Sequence, residues 1–207
     1  MREIVPVRAL DEFRRAFDNG GRFWNLFAKR DDGVIAAGEL ASAAESATAG
    51  PHAILHFELH RSFLPEGERA AALALLDPAL RARHGSHAPV ATAPSRMERE
   101  AGDGRAAILT GVPTRMLRPD LVGGMTEFRQ PTMGAVAMTD VPLHLPFTLY
   151  EMHDTSTGEH TAVLAVLKAE EPELPRAPMR VAGIVRELVP RKGVWTRYME
   201  GVFFARE

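Results

Sequence analysis

The stretch HAILHFELH, His52 to His60, sets the problem of this chain, because two regular structures fit it and each gives its histidines a different chemistry. As a strand, it places Ala53, Leu55, Phe57 and Leu59 on one face and His56, Glu58 and His60 on the other, the period of two of a half-buried sheet. As a helix opened by Gly50-Pro51, it has proline at a first-turn position where its missing N–H is harmless, and apolar residues on most sides. A strand needs a neighbour for its backbone groups, and the flanking segments read helical, so context favours a buried helix.

On a strand, His56 and His60 would stand roughly 13 Å apart, which leaves only His56 and Glu58 able to share an ion. On a helix, residues four apart approach to ~5–6 Å between Cβ atoms, so His52/His56 or His56/His60 could offer two imidazoles to a metal. No third ligand is evident and no HExxH pattern is present, so hydrogen-bonded or surface histidines are the default reading.

Toward the N-terminus, Leu10, Phe13 and Phe17 recur at helical spacing, Asn19-Gly20-Gly21 supplies a stop, and Phe23, Trp24, Leu26 and Phe27 predict a second short helix. After residue 60, Pro65 opens an Ala/Leu-rich run to Leu76, and Asp77-Pro78 forms an N-cap and first-turn pair for a helix toward His84. Residues 85–104, GSHAPVATAPSRMEREAGDG, lack periodicity and read as a linker or long surface loop.

Beyond the linker the rhythm changes. RAAILTGV, GAVAMTDV, PFTLYEMH, HTAVLAVLK, MRVAGIVRELV, VWTRYM and GVFFARE are short, rich in branched and aromatic residues and spaced as strands of an all-β unit. Met152-His153 and His160-Thr161 should face each other across DTSTGE, and Val189 and Val194 flank a hairpin turn at Pro190 to Gly193. The fold expected is α+β: a helical N-terminal domain (1–85), a linker (86–104) and an antiparallel β-barrel domain (105–207).

Two partial resemblances accompany this reading. LFAKRDDGVIAAGELASAA resembles one EF-hand, within a helix–loop–helix over residues 23–47. On the twelve-position calcium loop, Ala28 falls at position 1, Arg30 at 3, Asp32 at 5, Gly33 at the sharp turn, Ile35 at 8 and Glu39 at 12. Calcium would be left with Asp32, the Val34 carbonyl, Glu39 and water, so the resemblance implies a metal-free helix–loop–helix that packs against the helices from about 51 to 84. Val181-Ala182-Gly183-Ile184-Val185, followed by a hairpin and the strand Val202 to Arg206, resembles the last part of an OB-type barrel, where glycine permits a sharp strand bend.

Composition narrows the function classes. The 207 residues are 45% hydrophobic and 25% charged, with 25 Lys+Arg against 27 Asp+Glu, so no global field draws in nucleic acid or an anionic membrane. The absence of cysteine removes disulfides, thiolate metal sites and cysteine nucleophiles. No apolar run approaches the roughly 20 residues of a membrane span, and a cytoplasmic protein without a membrane partner is expected.

Candidate sites follow. A metal could use His56 and His60, the hairpin mouth at His153, Asp154, Glu159 and His160, or Asp32 and Glu39 of the loop. A single-stranded nucleic acid would use Arg180, Arg186, Arg191, Lys192 and Arg197 with the rings of Trp195 and Tyr198, although residues 105–207 balance twelve Lys/Arg against twelve Asp/Glu. No GxSxG elbow, phosphate loop or dinucleotide fingerprint is present. The reading is a non-catalytic binding or adaptor protein, without a cofactor, for a protein partner or small ligand that meets the Trp195/Tyr198 surface. A single-strand-binding barrel and a His/carboxylate metalloenzyme are the alternatives.

Overall fold

The computed structural model describes residues 1–19, 32–116, 147–156, 160–167, 173–187 and 197–207. Among them it is an α+β protein: helices dominate the first half and a mostly antiparallel seven-stranded sheet the second. The helices are α1 (Leu10–Phe17), α2 (Ala37–Ala43), α3 (Pro51–Ser62), α4 (Glu66–Ala74), α5 (Pro78–His87) and α6 (Met97–Glu100). The strands are β1 (Arg2–Glu3), β2 (Val90–Thr92), β3 (Ala106–Arg115), β4 (Phe147–His153), β5 (His160–Leu167), β6 (Met179–Glu187) and β7 (Arg197–Arg206). No helix among the described residues is long and apolar enough to cross a membrane.

His52 to His60 is helical, the central part of α3, with Gly50 as extended N-cap and Pro51 in the first turn. Every residue from Ala53 to His60 is buried. The strand-like alternation misleads because 3.6 residues per turn splits the apolar set: Ile54 and Phe57 join Phe13, Phe17, Leu40 and Leu76 in the helical core, whereas Leu55 and Leu59 turn to the sheet. A helix with neighbours on all sides needs no polar face. The Asp77-Pro78 signal acts as expected, since the Leu80 N–H donates to Asp77 Oδ1 at 2.7 Å.

Five strands pair in a cycle. β3 pairs with β4, β4 with β5, β6 with β3 and β7 with β6, all antiparallel, while β5 and β7 run parallel. Alternate residues from all five enter one buried cluster, including Leu109, Tyr150, Leu164, Val181, Met199 and Phe204. Two glycines sit where the ladders of the long strands change. At Gly111, where β3 passes from β6 to β4, a Cβ would stand 2.6 Å from the His153 carbonyl oxygen. At Gly183 the ladder with β7 slips by one residue, Ala182 opposing Phe203 and Gly183 opposing Gly201.

A Cβ on Gly183 would press on the Glu200 carbonyl oxygen and lie 2.8 Å from Met199 Cγ. Gly183→Ala should therefore lower the unfolding free energy by about 1–3 kcal/mol through overpacking against backbone. Gly67 in α4 has nothing within 4 Å of the same built atom, so Gly67→Ala should instead stabilise by about 0.5–1 kcal/mol. Urea unfolding of the two variants checks this, and equal midpoints would contradict the close approach.

Three expectations need correction or placing. Residues 86–104 are structured rather than a linker. Val90–Thr92 pairs in parallel with Ala107–Leu109, Pro94–Arg96 makes a 3-10 turn, and Met97 of α6 is fully buried in the sheet core. The described part of VWTRYM, from Arg197, and GVFFAR form a single strand rather than two, β7 running unbroken through Gly201. The helix at Phe23–Phe27, the strand GAVAMTDV and the turn at Pro190 to Gly193 lie outside the described residues.

Pairing and core both cross the expected division at 85–105. Arg2 and Glu3 pair in parallel with Phe203 and Phe204, and Ile4, Leu55 and Leu59 share one buried cluster with Ile108, Ala182, Phe203 and Ala205. α3 thus lies on the outer face of β6 and β7. The seam between helices and sheet is a packed interface, open at one corner.

Candidate functional site

That corner lies beside β1, where α3 carries His56 and His60 one turn apart. Their ring centroids are 4.7 Å apart in an edge-to-face arrangement, and only 6% and 7% of each residue is exposed. The Phe17 ring flanks both, at 5.7 and 5.4 Å, and Phe203 stands 5.1 Å from His56. The Val7 N–H donates to His60 Nδ1 at 3.4 Å, so the neutral His60 ring holds its proton on Nε2. Buried His56 Nδ1 has no hydrogen-bond partner among the described residues.

Both imidazoles are neutral at pH 7. Burial, then the neighbouring His60 and the Arg2 guanidinium, pushes His56 down to about 3. Burial and then Arg2 push His60 down to about 4. Desolvation penalises the charged form, and a like charge on either side adds to it.

The two rings form the floor of an open cleft of about 310 Å³, walled by Ile4 and Phe17 and rimmed by Arg2 and Glu45. Arg2 is held from three directions: one guanidinium nitrogen donates to the Ala44 carbonyl at 3.2 Å, another is 2.6 Å from Glu45 Oε2, and the plane lies 5.1 Å from the Phe203 ring centre. Glu45 has a positive φ of 52° in the turn that ends α2, where the Ser46 N–H donates to the Ala41 carbonyl at 2.8 Å. Its side chain is 77% exposed, against 33% for Arg2.

The opposite side of α3 carries a buried ionic cluster that the sequence did not single out. Arg61 donates to both Glu58 oxygens at 2.6 and 2.7 Å, and His84 Nε2 of α5 donates to Glu58 Oε1 at 2.7 Å. Glu58 is tied off from the cleft and fastens α3 to α5. An acid three residues before an arginine at the end of a helix was the available signal for the first pair; nothing local announces His84.

The residues proposed for calcium serve the backbone. Asp32 Oδ1 accepts from the Val34 N–H at 3.0 Å and Glu39 Oε2 from the Ala36 N–H at 2.9 Å, capping α2. Ile35 bridges in parallel to the Leu76 segment, its N–H donating to the Leu75 carbonyl at 2.7 Å and its carbonyl accepting from the Asp77 N–H at 3.1 Å. His153 lies opposite His160 in the β4–β5 hairpin, with His153 Nε2 4.0 Å from Glu151 Oε2, and Asp154 accepts from the Ser95 N–H at 3.1 Å. Among the described residues, no group of three or more His, Asp or Glu is disposed to hold a metal ion.

The basic and aromatic residues proposed for nucleic acid are scattered in role. Arg180 donates to the Ser62 carbonyl, pairs with Glu207 at 2.8 Å and covers the Phe63 ring, which docks the end of α3 on β6. Arg197 donates to the carbonyls of Glu98 and Ala101, holding α6. Arg186 pairs with Glu200 at 3.3 Å. Tyr198 is buried with Leu149, Val163 and Ala165, and burial pushes its hydroxyl well above the ordinary range. Arg191, Lys192 and Trp195 lie outside the described residues. Among the described residues, His56 and His60 meet at a cavity as their spacing on a helix suggested. No protein-family model matches the chain, and no curated protein is significantly similar to it.

Proposed function

We propose that the protein is a non-catalytic binding protein and that the cleft between α1, α3 and the β1–β7 corner seats a small ligand. One observation carries the reading: two buried imidazoles, His56 and His60, and the Phe17 ring line a cavity of about 310 Å³ that also has the Arg2 guanidinium on its lining. The cleft's mix of apolar walls and a few convergent polar groups is that of a small-molecule site. The cycle of five strands, with one face of each in a common core, supports the further proposal of a small closed barrel of OB-like kind, used as the rigid wall against which α3 builds the cleft. The internal engagements of Arg180, Arg197 and Tyr198 weigh against the single-strand alternative.

The test is a titration of the protein at pH 7.5 with millimolar phenol, benzyl alcohol and phenylacetate, followed by imidazole NMR. The ring signals of His56 and His60 should move with at least one probe while those of exposed His87 stay, and His56→Phe should weaken the response. Probes that leave both buried rings unmoved would remove the cleft as the binding seat.

A further inference from the structure

We infer that the cleft takes a small aromatic monocarboxylate, whose carboxylate replaces that of Glu45 on Arg2 while its ring rests among Phe17, His56 and His60. The inference rests on the cleft being a ligand seat, and adds what that ligand must be.

The rim supplies the charge. The Arg2 guanidinium is preoriented, with one nitrogen on the Ala44 carbonyl and its face on Phe203, and a second nitrogen meets Glu45 at 2.6 Å. Glu45 is a weak occupant of that place. Its side chain is 77% exposed, and a surface ion pair of this kind is close to neutral against two hydrated ions. The positive φ of Glu45, at a position past a helix where glycine is the unstrained choice, carries its carboxylate over the mouth of the cleft. A ligand carboxylate makes the same pairing with Arg2 and, unlike Glu45, brings apolar surface that the cleft can cover.

The interior supplies the ring preference. Phe17 and Phe203 present aromatic surface to the two imidazoles at 5.1–5.7 Å, the spacing at which rings pack edge to face. His56 and His60 stay uncharged at neutral pH, so the interior attracts neither a second anion nor a cation. The volume of about 310 Å³ lies at the lower end of small-molecule pockets, which suits a single ring. Glu3, beside Arg2 on the cleft wall and paired with Arg206 at 2.8 Å, keeps the rim short of positive charge and disfavours a dianion such as phosphate.

The test compares phenylacetate, its uncharged analogue 2-phenylethanol and inorganic phosphate by calorimetry at pH 7.5, low salt. Phenylacetate should bind about tenfold or more tighter than the alcohol, as a charge-assisted pair implies. Arg2→Gln should erase that preference. Glu45→Gln should tighten phenylacetate about two- to threefold and leave the alcohol unchanged, because the competing carboxylate is gone. Equal affinity for acid and alcohol in the wild type, no gain in Glu45→Gln, or phosphate binding as tightly as phenylacetate would each overturn the carboxylate assignment while the cleft reading stands. Neither organic probe binding, with the ring signals of His56 and His60 unmoved, would overturn both.

Discussion

Replacing Glu58 by alanine is expected to lower the unfolding free energy by about 3–5 kcal/mol, because it takes the counter-charge from Arg61 and leaves buried His84 Nε2 without its acceptor. The Glu58 and His84 side chains are each 8% exposed and that of Arg61 23%, so water replaces little of what is lost. The fastening between α3 and α5 goes with it. Glu45→Gln is the contrast: its partner is also an arginine, but the pair is on the surface, and the change should stay within about 1 kcal/mol. Urea denaturation at pH 7.5 separates the two, and a Glu58→Ala midpoint close to wild type would mean that the cluster does not stabilise the fold.

The sign of the pH dependence of Glu58 follows from the balance around it. Burial raises its pKa, but hydrogen bonds from His84 and Arg61 and attraction to Arg61 outweigh burial and hold the carboxyl below its ordinary 4.5. A depressed carboxyl contributes stability that is complete above the unfolded value and is lost as pH falls through the folded one. Glu58 is therefore silent between pH 8 and about 5 and adds to acid unfolding below that.

The histidine pair acts at higher pH. Their folded values of about 3 and about 4 lie below the ordinary 6.5, so the unfolded chain binds these protons more readily than the native one. Stability is complete above 6.5 and falls as pH drops toward the folded values. Between pH 7.5 and 5 each imidazole should cost about 2 kcal/mol, roughly 4 for the pair. His56→Leu should remove about half of that slope. Urea midpoints at the two pH values measure it; a wild type equally stable at both would show that the rings are not held neutral.

Where a signal is local, the chain declares it. Asp77-Pro78 caps α5, Gly50-Pro51 opens α3, Leu10, Phe13 and Phe17 mark the buried face of α1, and the alternation of β3, β4 and β6 sorts residues into and out of one core. The candidate site was partly visible in the same way, since residues four apart on a helix must share a face, and His56 and His60 do. What it lacked was the rest of the cleft: Arg2, Phe17 and Glu45 lie far from α3 in the chain or on other elements, and no spacing rule links them to it.

The same limit explains the misreadings. Val90–Thr92 is too short and too rich in Pro and Ala neighbours to look like a strand, and becomes one because β3 offers it a free edge. Arg180 and Arg197 look like a cationic surface beside aromatic residues until their acceptors appear, the carbonyls of Ser62 and Glu98 about a hundred residues away.

Amino-acid order alone therefore determined the helix starts, the strand periodicity, the α+β class and the pairing of His56 with His60, because each rests on groups within a turn or two of one another. Tertiary packing decided that N- and C-terminal strands join, that α3 is buried on every side, that Glu58 finds His84 and that a guanidinium shares an open cleft with two imidazoles. Those outcomes depend on which distant surfaces exclude water together, a property of the folded whole that no window of sequence contains.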